Sequence, residues 1–147
     1  MNDIAMNKAQ LPAWVWLFAG LGLAWNIFGI VQLVDFTTQT QASLMMKGMT
    51  PSAAALYYGL PAWMKFVFAT GSIGGLIGSL LLGARRSAAV PVFAVSLAGY
   101  VALFAGDFVY GVFNAIPGQM AVLLVVVAVA VALMAASLAA RRQGLLG

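Results

Sequence analysis

Five polar side chains recur along one apolar stretch: Ser96, Tyr100, Asp107, Tyr110 and Asn114, spaced by four, seven, three and four residues. In a helix this spacing places all five on one face. With Trp25 and Asn26, residues of this face could supply the aromatic surfaces and the fixed donors and acceptors that a small solute needs. Asp107 is expected about six residues, or about 9 Å, inside the outer end of its stretch. An ionisable group at that depth is expensive and wants a partner. Lys65, near the start of the preceding apolar stretch, is the natural candidate. It shares a face with Ser72 and Ser79, which follow at intervals of seven. Asp35 ends the first apolar stretch, Gln32 precedes it by one turn, and Asn26 lies near that stretch's middle. Each residue has two readings. Asp107 and Lys65 form either a structural ion pair or part of a binding site, and Lys65 can also snorkel to the interface. Asn26 either meets a solute or bonds a neighbouring helix.

The composition narrows the chemistry further. The chain has 147 residues, no Cys and no His, 3 Asp+Glu and 7 Lys+Arg. Thiolate, imidazole and disulfide chemistry are excluded. Three carboxylates leave little for acid–base catalysis or a hard-metal site. No catalytic residue, metal or cofactor is expected, and the chain is not read as an enzyme. Only 7% of residues are charged and 64% are hydrophobic, too few charges to cover a soluble surface. The basic residues sit at loop ends and form no nucleic-acid-binding stripe.

The elements that must position these residues are membrane spans. A span needs about 20 mostly apolar residues. Four stretches qualify: about 13–34, 63–83, 91–113 and 120–140, bounded by prolines, charges and the Asn114–Gly118 turn. Backbone in lipid must satisfy its own hydrogen bonds, so the spans are helices. The expected fold is an all-α integral membrane protein, one domain over 1–147, with four transmembrane helices in an antiparallel bundle. The first span is too long and too poorly flanked by positive charge for a cleaved signal. Lys8, Arg85, Arg86, Arg141 and Arg142 fall on one side and Lys47 and Lys65 on the other. This places both termini in the cytoplasm. The outer loop, 35–61, holds a short interfacial helix in its second half: Thr50 caps it, Pro51 opens it and Gly59 stops it. It either anchors the second span or covers a site.

The second span carries Gly71, Gly74, Gly75, Gly78 and Ser79, spacing that lets helix backbones approach closely. The fourth span has no polar residue before Ser137 and is expected at the periphery. Its Ala128, Ala132 and Ala136 are suited to docking a helix of this or another protein.

Several short motifs carry a resemblance: Trp25-Asn26-x-x-Gly29, Pro61-Ala62-Trp63, Gly74-Gly75-x-x-Gly78, Arg85-Arg86 and Pro91-x-Phe93-x-x-Ser96-Leu97. Over roughly 11–115 the chain resembles small four-span bacterial inner-membrane proteins labelled as sugar transporters. The resemblance implies a multi-pass protein of the bacterial cytoplasmic membrane that handles a solute; it supplies no site residues. Two functions follow as expectations. One is a carrier or binding protein for a small, sugar-like solute, acting as a homo-oligomer. The other is a non-catalytic accessory subunit of a larger membrane complex. The partners are then the lipid bilayer and either further copies of this chain or other membrane subunits, with no nucleic acid.

Overall fold

The computed structural model describes residues 10–147, and every regular element among them is helical. Lys8, used above in the charge count, lies outside the described residues. The elements are α1 (Ala13–Thr38), α2 (Gln41–Met46), α3 (Pro51–Tyr58), α4 (Ala62–Gly83), α5 (Ala89–Val109), α6 (Val112–Ala115) and α7 (Gln119–Arg142). Four of them, α1, α4, α5 and α7, are long and apolar enough to cross a membrane.

The helix limits follow from local chemistry. Pro12 and Pro61 immediately precede α1 and α4 in extended conformation, and proline tolerates only such entry positions. α1 runs one turn past Asp35. α5 stops at Val109, four residues short of the sequence expectation of 113. Gly111 there takes φ 76°, a conformation that glycine adopts readily and that breaks the helix. The chain restarts as α6, and Gly118 at φ 84° launches α7. In the first loop, α3 begins at Pro51 behind the Thr50 cap and ends at Gly59. Unforeseen in the sequence is α2, opened by a reciprocal Thr40–Ser43 capping box.

The four long helices alternate in direction. Gly22 of α1 lies against Ser79 of α4 and Gly29 against Ser72, the register of an antiparallel pair. α4 packs along both α1 and α5, and α7 packs on α5; α1 and α7 touch only sparsely. Arg85, Arg86, Arg141 and Arg142 therefore share one end of the bundle, here the arginine end. The loop helices, Asp35, Lys65 and Asp107 share the other, the loop end.

Close approach of α4 to its neighbours depends on its small residues. A Cβ at Gly71 would lie 2.7 Å from the Tyr100 ring, and one at Gly78 would lie 2.8 Å from Phe93. At Gly75 it would collide with the Asn26 amide, and at Gly74 it would press on Ser96. The small-residue faces are thus filled by α1 and α5 of the same chain, not left open for another protein. On α7, Ala136 is buried while Ala128 and Ala132 are exposed.

Two apolar clusters fill the bundle. One at the arginine end centres on Val15, Leu82, Phe93 and Leu133. The other, at the loop end, centres on Phe36, Met64, Leu103 and Leu123. At the arginine end the Leu145–Gly147 segment also pairs with the α4–α5 turn. Ser87 N–H donates to the Gly147 carbonyl and Gly147 N–H to the Arg85 carbonyl, each at 2.8 Å. Arg85, at φ 61°, is the left-handed residue that ends α4: Arg85 N–H donates to the Leu82 carbonyl and Arg86 N–H to the Leu81 carbonyl.

Gly71→Ala is expected to destabilise the bundle by about 1–3 kcal/mol, the usual cost of overpacking a tight contact. Gly20→Ala, where nothing lies within 4 Å of the added carbon, is expected to be neutral or slightly stabilising. Thermal unfolding of the two variants in the same detergent checks the contrast.

Candidate functional site

The loop end contains a cavity of about 330 Å³. α1 contributes Trp25, Phe28, Gln32 and Asp35; α5 contributes Tyr100, Leu103 and Asp107; and α7 contributes Gln119 and Val122. The α2–α3 segment covers it through Leu44, Lys47, Met49 and Tyr57.

Tyr100 is the best-anchored polar group in the wall. Its hydroxyl donates to Asn26 Oδ1 at 3.4 Å and lies 3.2 Å from Ser72 Oγ. With the phenol proton committed to Asn26, Ser72 is the donor to Tyr100. Asn26 Nδ2 in turn donates to the Gly22 carbonyl at 2.7 Å. Ser96, one turn below Tyr100, donates to the Gly71 carbonyl at 2.6 Å. Asn26 and Ser96 are buried and do not line the cavity. Ser96 ties α5 to α4 and Asn26 ties α1 to the Tyr100 hydroxyl, and together they hold Tyr100 in place. A bonded polar network of this kind is what a buried polar group requires.

Asp107 is 2% exposed and accepts a hydrogen bond from Gln119 Nε2 at 3.2 Å. It lies two residues from the end of α5, about 3 Å by helical rise, and not about 9 Å inside the helix as the sequence led us to expect. Its burial comes from coverage by neighbouring elements instead of depth along the helix. Lys65 is not its partner. Among the described residues Lys65 makes no ion pair or hydrogen bond, although its spacing puts it on the face of α4 that carries Ser72 and Ser79. The ion pair observed joins Lys47 to Asp35 at 2.6 Å, with both side chains about half exposed.

The other expected site residues divide. Gln32, Asp35, Tyr100 and Asp107 line the cavity. Tyr110 and Asn114 do not: α5 ends at Val109, with Tyr110 as its cap, and Asn114 lies beyond the Gly111 break on α6. Tyr110 packs its ring against Trp63 at 6.3 Å between centroids, and Asn114 is exposed on α6. Lys47, Tyr57 and Gln119 were missed. Lys47 was counted only for topology, although the Thr40–Ser43 capping box signals the helix that brings it back over Asp35. Gln119 was left outside the fourth span. The tight α5–α7 connection, with Gly118 preceding Gln119, was the available signal.

Tyr57 stacks on Phe36 at 5.2 Å. Burial pushes its phenol well above the ordinary tyrosine value, and the Asp107 and Asp35 carboxylates push it further. No metal-binding cluster occurs among the described residues. Comparison of the chain with protein-family models, curated proteins and solved structures finds no match in any of the three.

Two measurements test this geometry. Gln119→Leu strips Asp107 of its partner and should cost about 1–3 kcal/mol. By contrast, a double-mutant cycle on the exposed Asp35–Lys47 pair should return no more than about 1 kcal/mol. Thermal unfolding reads both. Tyr57 is held protonated in the fold, so its contribution is complete below the unfolded tyrosine value of about 10 and fades as pH rises above it. Unfolding scans between about pH 8 and 11 should show a decline in stability that is shallower in Tyr57→Phe.

Proposed function

We propose that the chain is a multi-pass protein of the bacterial cytoplasmic membrane that binds or carries a small organic solute in the loop-end cavity. The observation that carries this reading is the buried Asp107 carboxylate, held by a neutral amide and facing a cavity of about 330 Å³. Ligand sites are typically such concave spaces, largely apolar with a few fixed polar groups. The chemistry suits an organic molecule: aromatic faces from Trp25, Phe28, Tyr57 and Tyr100, with hydrogen-bonding groups from Gln32, Gln119 and Asp107. The sugar-like solute implied by the family resemblance is one molecule of this kind.

The four arginines at one end support a cytoplasmic arginine end, since basic residues concentrate there. The cavity then opens on the outer side and both termini lie inside. α2 and α3 lie at the outer interface as its cover. Four spans are few to enclose a path, which supports a homo-oligomer in which a second copy completes it. No group in the cavity is paired for acid–base or nucleophilic work, so the reading is non-catalytic.

The test is a thermal-shift screen of the purified full chain in nanodiscs against hexoses, disaccharides, polyols and quaternary ammonium ions. A true solute at about 100 times its Kd should stabilise the fold by about 2.7 kcal/mol. The same solute should give a much smaller shift in Asp107→Asn. If no compound shifts the wild type, and the protein leaves its native membrane at fixed stoichiometry with other polypeptides, it is an accessory subunit instead.

A further inference from the structure

We propose that the solute is a cationic amphiphile, its ammonium headgroup in the loop-end cavity and its alkyl tail in an apolar groove between α1 and α7. This rests on the reading of the cavity as a solute site and names the class of molecule it takes.

The headgroup follows from charge and aromatic lining. Three charged residues line the cavity: Asp35, Lys47 and Asp107. Lys47 is paired with Asp35, which leaves the Asp107 carboxylate without a cation. Trp25, Phe28, Phe36, Tyr57, Phe68 and Tyr100 also line the space. Aromatic faces around a carboxylate attract an ammonium ion through the ring quadrupoles and the charge together. A neutral sugar headgroup uses the hydrogen-bonding groups but gains nothing from the unpaired charge.

The tail follows from a second, adjoining space. A groove of about 580 Å³ runs between α1 and α7, lined among others by Phe18, Leu21, Ala132 and Leu133. All of its lining residues are apolar or glycine. Trp25 and Phe28 line both the groove and the cavity, so the two spaces meet at this pair. Along α1 the groove extends from Phe18 to Phe28, about 15 Å by helical rise. It exists because α1 and α7, at the two ends of the helix order, scarcely touch. A molecule with one charged end and one alkyl end matches the sequence of surfaces. It enters sideways from the bilayer, its tail never crossing water.

The test uses the full chain in nanodiscs of phosphatidylethanolamine and phosphatidylglycerol. The probe is dodecyltrimethylammonium with a photoreactive diazirine at the end of its tail, and adducts are mapped by mass spectrometry. Adducts should concentrate on Leu21, Ala132 and Leu133. Excess tetramethylammonium should suppress them, and excess dodecyl maltoside should not. Asp107→Asn should lower labelling about tenfold, as should Trp25→Leu, which leaves the Asp107 burial intact, each removing roughly one good charge or ring contact.

Labelling spread evenly over outward-facing residues such as Phe66 and Val95, unaffected by either variant, overturns the proposal. So does equal competition by the maltoside. Labelling of the groove that is lost only on dimerisation overturns it too, since a second copy then fills the groove. In each of these cases, a solute found by the thermal-shift screen to act through Asp107 leaves the cavity reading standing. The absence of any such solute removes both.

Discussion

The close approach of α4 to α1 and α5 governs the rest of the molecule. Helices in lipid gain little from the hydrophobic effect on meeting each other, so they associate through tight packing and interhelical hydrogen bonds. Here both act at the same contacts. Glycines 71, 75 and 78 accept Tyr100, Asn26 and Phe93, and the first two of those side chains bond to each other across the gap. The three helices become one slab with a polar seam. Tyr100 is pinned at the loop end of that seam, where its ring forms part of the cavity wall.

The slab leaves α7 attached through α5, and this explains the uneven distribution of polarity. At the loop end, the short α5–α7 connection brings Gln119 to Asp107, and α2 and α3 fold back over the space between α1 and α7. Farther along, the same gap has no polar lining. The polar cavity and the apolar groove adjoin each other, with the Trp25–Phe28 pair of α1 lining both.

Much of this was legible in the sequence because membrane spans announce themselves by composition and length. The four long helices, the loop helix from Pro51 and the glycine face of α4 followed from residue types alone. The polar face of α5 was legible as far as Asp107 and failed at Tyr110 and Asn114, because helical periodicity assumes an unbroken helix. Gly111, with its positive φ, is an ordinary residue on paper and a break in space. Partner choice was harder still. Lys65 and Asp107 both lie at the loop end, yet it is Gln119 that meets the Asp107 carboxylate. Lys47 pairs with Asp35 only because α2 reverses the chain, a long-range consequence of a two-residue cap. Gln119 stands beside Asp107 because the tight turn ending at Gly118 reverses the chain between α5 and α7.

The pairing of Leu145–Gly147 with the α4–α5 turn gives α7 a second fastening. Two backbone hydrogen bonds clamp the far tip of α7 to the turn joining the other two slab helices. The Arg85 carbonyl that accepts one of these bonds belongs to the left-handed residue that ends α4. α7, which has few direct contacts with α1 and α4, is thus held to the slab at both ends, by the clamp at one and by the tight turn after α5 at the other.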